Sequence, residues 1–327
     1  MRTKRHLGIL ILIMVMFVSI NALVSATEYY RIATATVTGT GYPTGIAQAQ
    51  TFNEHFGEEL DVHFTAISSA GAAENLVLFR NKEAELAIMQ SNVPFWGYHG
   101  THLYEGNPFK KLRTLYPISV NPYHFFVRDG INSLEDLRGK SFSVGAAASG
   151  TETSSKVVLE ALGITYDDFK QEFLDHGASI DAVKNNLIDG CLITSTAPAP
   201  PIADAMIAPK RGYKLLSLSQ EEIETITKAE PWLVPVTLPA HTYSNQPEPI
   251  HTVGHASFFC TTDDLSEEVA YKVTKTTWEN LDELIQAMHI FNQMKLYEIV
   301  SVHNWFKNGL PIHRGALKYY REIGFVD

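Results

Sequence analysis

Strand and helix signals alternate along most of this 327-residue sequence, and this alternation limits the possible folds more than any other feature. Apolar or β-branched runs in the first half lie at 30–37, 61–68, 84–90 and 113–120, with helical patterns at 43–56 and 71–82. The second half repeats the rhythm, with strand-like runs at 141–147, 169–175 and 190–195 and helical patterns from 149 and near 178–188. Such alternation predicts an α/β fold in which parallel or mixed sheets are covered by helices.

Two extended, proline-containing segments, 119–130 and 234–249, interrupt this rhythm, and a further strand-like run follows at 251–262. The simplest interpretation is that the chain leaves a first lobe near 120, builds a second and returns near 240. We therefore predict a discontinuous lobe I (27–120 plus 241–327) and a lobe II (121–240), joined by a hinge. Ligands of α/β folds bind at the carboxyl ends of strands, so a cleft between the lobes is the expected site.

Residues 1–26 have the composition of a secretory signal peptide. Basic residues come first, an apolar core runs from Leu7 to Ile20, and small residues stand at Ser25 and Ala26. The alternative is an uncleaved membrane anchor, but the apolar run is shorter than the ~20 residues that span a bilayer. We expect cleavage near Ala26, a mature chain from about Thr27 and a periplasmic location.

The charge balance restricts the possible partners. The formal net charge is −10, and the signal segment carries three basic residues, so the mature chain is left with −13. An acidic chain of this kind is a poor partner for nucleic acid or an anionic membrane. A small anionic ligand is still possible, because local amide dipoles can outweigh a distant net charge.

The two cysteines, Cys191 and Cys260, both lie in apolar, strand-like runs. An exported protein can form a disulfide, but the predicted lobes separate these residues, so we favour two buried thiols. Two cysteines do not provide a metal framework. We predict neither a metal nor a cofactor.

The sequence does not contain a complete motif for nucleotide binding or for catalysis. The loop "TGTGYPTG" (38–45) lacks the Lys-Ser/Thr of a phosphate-binding loop, and Thr44 stands where the dinucleotide spacing requires its third glycine. "AASGT" (147–151) has Ala147 where a nucleophile elbow begins with glycine. His251 and His255 are four residues apart, but in a strand-like run this spacing favours packed or surface side chains over a metal site. The sequence therefore predicts that the protein is not an enzyme.

Four strand-to-helix junctions share a different composition, rich in small and hydroxyl residues and nearly free of charge. They are "TGTGYPTG" (38–45), "SSAGAAEN" (68–75), "QSNVP" (90–94) and "ASGTETS" (148–154). Small residues allow a ligand to approach the backbone, and the amide groups that open a helix attract an anion. Ser, Thr and Gly also cap helices everywhere, so these junctions indicate a ligand site only if all four meet in one cleft.

These residues resemble the TAXI-type solute receptors of TRAP (tripartite ATP-independent periplasmic) transporters. The resemblance covers essentially the whole mature chain. Its longest segments are "TGTGYPTGIAQAQTFN", "SSAGAAENLVLFRNKEAELAIMQSNV", the run from Gly130 to Phe169, "ENLDEL" (279–284) and "PIHRGALKYYREIG" (311–324). Several long segments in the same order make this resemblance far more specific than one glycine motif.

The resemblance implies a two-lobed periplasmic-binding-protein fold of type II and a receptor that closes on its ligand. That ligand would be a small organic acid or amino acid, such as glutamate or a 2-oxoglutarate-like acid. The receptor, a monomer, would deliver it to TRAP membrane subunits driven by an ion gradient.

Carried over by motif, the resemblance also implies the residues that contact the ligand. From the first predicted lobe they are Gly41, Tyr42, Ser68, Ser69, Asn75, Gln90, Ser91 and Asn92, and from the second they are Ser149, Gly150, Thr151 and Ser195. The chain departs from the family pattern in three places. The first loop has less glycine and lacks a second aromatic, Asn92 replaces an aspartate, and the loop 194–201 lacks an aromatic. The loss of that carboxylate favours a more anionic ligand, or one without an amino group.

Other classes of function stay open at this point. A receptor of the same fold could serve an ATP-driven importer or a sensor kinase, which neighbouring genes would reveal. A periplasmic enzyme with an unrecognised site is a further alternative, and turnover of its bound ligand by the purified protein would reveal it.

Overall fold

The computed structural model describes residues 27–37, 40–147, 149–207, 212–295 and 309–326. The predicted signal peptide, 1–26, lies outside the described residues. Within the described ranges, no helix has both the length and the apolar character that crossing a bilayer requires.

The strands follow the apolar runs of the sequence closely. They are β1 (Glu28–Ala33), β2 (Val62–Ile67), β3 (Leu86–Gln90), β4 (Leu112–Arg128), β5 (Ser141–Ser143), β6 (Lys170–Glu172), β7 (Gly190–Thr194), β8 (Tyr213–Leu215), β9 (Leu233–Leu238) and β10 (Ile250–Thr262). The main helices are α1 (Gly41–Phe52), α2 (Ala72–Asn81), α3 (Asn92–His99), α4 (Gly150–Ala161), α5 (His176–Lys184), α6 (Pro200–Ala205), α7 (Gln220–Ala229), α8 (Glu267–Glu279), α9 (Leu281–Ala287) and α10 (Arg314–Glu322).

Two sheets share the long strand β4. In the first sheet the order is β2-β1-β3-β10-β4, with β1 parallel to both β2 and β3. Strand β10 lies antiparallel between β3 and β4, and its other end pairs with β9. In the second sheet the far half of β4 pairs antiparallel with β7 and β8, and β5 lies parallel between β7 and β6.

The predicted α/β class with mixed sheets flanked by helices is confirmed. Pairing is parallel between β1 and its neighbours and between β5 and its neighbours, and antiparallel for the segments that connect the two sheets. Strands β4 and β10, which we call the crossing strands, are both extended through the connection and run antiparallel to each other. An extended segment that returns beside an outgoing one can pair only in this direction, which explains the mixed sheets.

Separate groups of buried side chains fill the two parts. The first sheet packs against an aromatic-rich core that includes Phe52, Phe64 and Phe259. The second sheet has its own cores, one around Phe142 and one around Ile193. The division into lobes at residues 120 and 240 remains our proposal.

Both cysteines are free and fully buried, as predicted. Cys260 lies on β10 in the first sheet and Cys191 on β7 in the second. Burial raises the pKa of both thiols well above the ordinary range, so at neutral pH both are protonated and inert.

Candidate functional site

A cavity of about 240 Å³ lies at the carboxyl ends of β1 and β3. We call it the strand-end cavity. Its lining side chains, within the described ranges, are all uncharged. The polar ones are Thr34, Thr40, Thr44, Gln90, Ser119 and Ser257. Hydroxyl and amide groups thus form its polar surface.

Strand pairing brings three of these polar residues to one level. Ser257 on β10 pairs with Gln90 on β3 and with Ser119 on β4. Directly paired residues of neighbouring strands project to the same face of a sheet, about 5 Å apart. The register shifts between Ser257 and Phe258, a β-bulge that also brings Ile118 into the cavity lining. The loop motifs of the sequence include Gln90 but not the two serines.

The first predicted loop closes one side of this cavity. Gly41 opens α1 and lines the cavity, and a Cβ atom there would lie 3.0 Å from the Ala35 Cβ. Glycine therefore allows the first turn of the helix to approach the end of β1 closely. Pro43 has no N–H and the Thr44 amide donates to the Thr40 carbonyl at 3.2 Å, so the amides of this turn that the helix does not use are those of Gly41 and Tyr42, and these can donate to a ligand. Tyr42, the next residue, is partly exposed.

The polar side chains of the second predicted loop stabilise the cavity wall more than they offer contacts to a ligand. The Ser69 Oγ donates to the Thr34 carbonyl at 3.1 Å and accepts from the Gly71 amide at 3.1 Å. Asn75 is fully buried, and its Nδ2 donates to the Thr34 and Ile88 carbonyls at 2.8 and 2.9 Å. These bonds hold together the strand ends that form the cavity wall. Ser68 is exposed, and the structure gives it no such role.

The third predicted loop likewise combines a residue that lines the cavity with a residue that supports its wall. Gln90 lines the cavity, whereas Ser91 is fully buried and donates to the Trp232 carbonyl at 3.1 Å. Ser91 therefore ties the end of β3 to the chain that enters β9. The Asn92 Oδ1 is buried and finds no hydrogen-bond donor among the described residues.

The predicted residues of the second part gather at the amino end of α4. Ser149 is the N-cap, and its side chain accepts from the Glu152 amide at 3.1 Å. Gly150, the first helical residue, is exposed, and Ser195, just after β7, is partly buried.

Thr151 is the centre of a small polar group at the same place. Its Oγ1 lies 2.7 Å from the Thr194 Oγ1 and 3.0 Å from the His176 Nε2. We call Thr151, His176 and Thr194 the hydroxyl cluster. Burial lowers the pKa of His176, so the imidazole is neutral at pH 7 and the cluster carries no charge.

A chain of hydrogen bonds on the crossing strands connects the neighbourhood of the strand-end cavity with α4. The Asn121 Nδ2 lies 3.1 Å from the His255 Nε2, and the His255 Nδ1 lies 3.2 Å from the Tyr123 Oη. Tyr123 in turn donates to the Ser154 Oγ on α4 at 2.8 Å. We call these four residues the polar chain. Burial lowers the pKa of His255 to about 4, so this histidine is neutral as well.

The residues missed by sequence reasoning share one signal. Ser119, Asn121 and Tyr123 stand at alternate positions in the middle of β4, and His255 and Ser257 do the same on β10. A polar residue at every second position of a buried strand indicates a polar face. His176 and Thr194 offered no comparable signal, because their partner Thr151 is distant in the sequence.

Other features of the described chain fit a ligand site less well. A cavity of about 330 Å³, lined by Glu28, Tyr30 and Thr262, lies at the amino end of β1, away from the carboxyl ends of the parallel strands. A groove of about 690 Å³ lies between Trp96 and the outer side of α4. No group of three or more His, Cys, Asp or Glu residues suited to a metal ion occurs in the part of the chain that the structure describes.

Comparisons with known proteins agree with this architecture. A family model described as the NMT1-like family matches residues 32–324. A TctC solute binding protein from Polaromonas is 12% identical, with a TM-score of 0.55, over 87% of this chain and 98% of that chain. The periplasmic aliphatic sulphonate binding protein SsuA from Escherichia coli is 14% identical, with a TM-score of 0.43, over 90% of this chain and 83% of that chain. The likeness to the Polaromonas protein confirms the predicted periplasmic-binding-protein fold.

Proposed function

Because this chain belongs to the NMT1-like family, we propose that it is an extracytoplasmic solute-binding protein for a small carboxylate or amino acid. The solute lies between the strand-end cavity and the hydroxyl cluster, and the two lobes close on it about the crossing strands. The protein is exported with cleavage near Ala26, acts as a monomer and binds no nucleic acid.

One observation carries this proposal: the strand-end cavity is polar but uncharged, and the amino end of α1 opens into it. A carboxylate can be held there by hydroxyl groups, by the Gln90 amide and by backbone amides at a helix terminus. Each hydrogen bond to a charged group contributes roughly 1.5–3 kcal/mol. A few such bonds are enough for specific binding without a lysine or arginine.

The second lobe offers matching chemistry. The hydroxyl cluster and the Ser149 cap lie at the amino end of α4, whose helix dipole favours negative charge. The polar chain connects this point with the floor near Ser119. A solute bridging both lobes would then favour the closed arrangement, as differential binding to two conformations requires.

The transport role rests on the resemblance of the loop segments to TAXI receptors and on the solute-binding fold. We propose TRAP membrane subunits as the partners that take over the solute.

Catalysis is not part of the proposal, although Thr151 and His176 form a hydroxyl–imidazole contact at 3.0 Å. A serine- or threonine-based hydrolase needs an accessible hydroxyl and a group that orients the imidazole. Thr151 is only 7% exposed, and its Oγ1 also bonds to Thr194. Incubation of purified protein with its bound solute should therefore yield no product.

Added solute should raise the melting temperature if this function is correct. L-glutamate or 2-oxoglutarate at about a hundred times its Kd contributes about 2.7 kcal/mol, which corresponds to roughly 5 °C for a chain of this size. Differential scanning fluorimetry with these two acids and their amides measures the effect, and the amides should give little or no shift. Mass spectrometry of solute released from freshly purified, denatured protein provides an independent identification. Release of only uncharged compounds would contradict the proposal.

Thr151→Val should weaken binding of the native solute by about ten-fold or more, because it removes the hydroxyl that holds Thr194 and His176 in place at the amino end of α4. Thr153→Val is the matched control, since Thr153 lies on the same helix and its Oγ1 donates only to the Ser149 carbonyl. We expect the control to bind within about two-fold of the unmodified protein, because the lost bond is local to the helix. Titration calorimetry measures the affinity of both variants, and equal affinities would show that the hydroxyl cluster is not part of the binding site.

A further inference from the structure

The polar chain has a fixed direction of hydrogen bonding. Tyr123 donates its hydroxyl hydrogen to the Ser154 Oγ, so the Tyr123 Oη is left to accept from the His255 Nδ1 at 3.2 Å. A neutral imidazole carries one hydrogen, and here it must be on Nδ1. The His255 Nε2 is therefore an acceptor.

This direction sets the orientation of the Asn121 amide. Asn121 lies 3.1 Å from the His255 Nε2 and must present its NH₂ group to that acceptor. Its Oδ1 is then directed away from His255. Asn121 is partly exposed, and no described residue donates a hydrogen bond to this oxygen.

Asn121 stands next to the strand-end cavity. It pairs with His255 just as Ser119 pairs with Ser257, two positions earlier on both strands. Side chains two positions apart on a strand share a face and lie about 7 Å apart. The free oxygen of Asn121 thus extends the polar floor of the cavity towards the second lobe.

We propose that Asn121 is a further solute-contacting residue, and that its fixed amide oxygen selects solutes with an O–H or N–H donor close to the carboxylate. This inference rests on the proposed function. His255, Tyr123 and Ser154 act as positioning residues, because they hold the amide in one orientation without touching the solute. A hydroxy acid and an amino acid both supply the donor, whereas an oxo acid places a second acceptor against the Asn121 oxygen.

Four acids with one carbon skeleton test this selection: glutarate, 2-oxoglutarate, 2-hydroxyglutarate and L-glutamate. Titration calorimetry should show 2-hydroxyglutarate, L-glutamate or both binding at least ten-fold more tightly than glutarate and 2-oxoglutarate, since an acceptor that the bound solute covers without supplying a donor is costly. The difference between the two donor-bearing acids tells a hydroxyl site from an ammonium site. A preference for 2-oxoglutarate would overturn the proposal.

Tyr123→Phe tests the positioning. The loss of the Oη removes the acceptor for the His255 Nδ1, so the imidazole can change tautomer and the Asn121 amide can turn over. We expect the preference for donor-bearing acids to fall below about three-fold in this variant. Tyr271→Phe is the control, because Tyr271 is a partly buried tyrosine on α8 whose hydroxyl donates to Glu322 and which does not line the cavity. An unchanged preference in Tyr123→Phe would show that the polar chain does not position the Asn121 amide.

The tautomer of His255 can be determined in the absence of a solute. In ¹⁵N spectra of the free protein the His255 ring, assigned by comparison with His255→Gln, should carry its hydrogen on Nδ1. If none of the four acids binds, the proposed solute class is wrong, while this spectrum still decides the amide orientation. A hydrogen on Nε2 would overturn the inference whatever the binding results.

Discussion

Between pH 6.5 and pH 4, the free energy of unfolding should fall by about 3 kcal/mol for each of His124 and His255. Burial lowers the pKa of both histidines from 6.5 to about 4 in the folded protein. As the pH drops through this window, the unfolded chain takes up protons that the folded protein does not, so unfolding becomes more favourable. The stability that depends on these groups is complete above pH 6.5 and has been lost at about pH 4.

The surroundings of His124 explain why it resists protonation. Its Nδ1 lies 3.2 Å from the Ile193 carbonyl, and its Nε2 lies 2.8 Å from the Tyr243 hydroxyl. The neutral ring therefore has a partner for each nitrogen, while a charged ring would be buried without a counter-ion at either bond. His176 has a pKa lowered by burial as well and adds to the effect in the same direction.

Urea unfolding at half-unit steps between pH 7 and pH 4.5 measures this dependence. Near pH 5 the slope should correspond to about one proton per buried histidine. His124→Gln or His255→Gln should reduce the slope by one proton, even though each variant is less stable at pH 7. His251→Gln, which replaces an exposed histidine at the start of β10, is measured alongside for comparison. A flat profile would contradict the burial of both rings as neutral groups.

Gly315→Ala should destabilise the protein by about 3 kcal/mol or more, through overpacking of α10 against α8. A Cβ atom at this position would lie 2.3 Å from the Glu267 carbonyl oxygen and 2.6 Å from the Tyr271 amide nitrogen. Both contacts are with backbone atoms, which cannot move aside as a flexible side chain can. The helix would have to shift outward, which would strain the bond from the Tyr320 hydroxyl to the Leu115 carbonyl.

Gly177→Ala provides the comparison, since Gly177 is an exposed helical residue whose added Cβ would meet only the Asp175 side chain, at 3.6 Å. Alanine has a better helix propensity than glycine, so this variant should be neutral or slightly stabilised. Thermal unfolding of the two variants under one condition measures the contrast. Equal melting temperatures would show that α10 can move away at little cost.

The positions of strands and helices followed from local pattern, and their pairing did not. The run 61–68 contains β2 (Val62–Ile67), because alternation of apolar residues depends only on neighbours in the chain. Strand β4 continues through Pro122, which lies in the segment 119–130 that we interpreted as an interruption. Pro122 is tolerated opposite Gly254, whose missing side chain leaves room for the Asn121 carbonyl. That tolerance depends on a residue more than a hundred positions away.

The candidate site was only partly predictable for a similar reason. The loop motifs directed attention to Gly41 and Gln90, which line the strand-end cavity. They could not show that the Ser91 hydroxyl turns inward to the Trp232 carbonyl, because a motif does not specify rotamers. Whether the remaining predicted residues contact the solute stays a prediction that the experiments above address.

The position of β10 in the first sheet has a consequence for how the chain folds during its synthesis. This strand fills the space between β3 and β4, yet it is built from residues 250–262, long after its two neighbours have been synthesised. Until then the facing edges of β3 and β4 have no partner, and such edges readily pair with other chains. A nascent chain therefore cannot finish its first sheet on the ribosome before most of its length has emerged. In the export that we propose, this delay would help to keep the chain unfolded for threading through a membrane, while the open strand edges would be exposed to pairing with other chains.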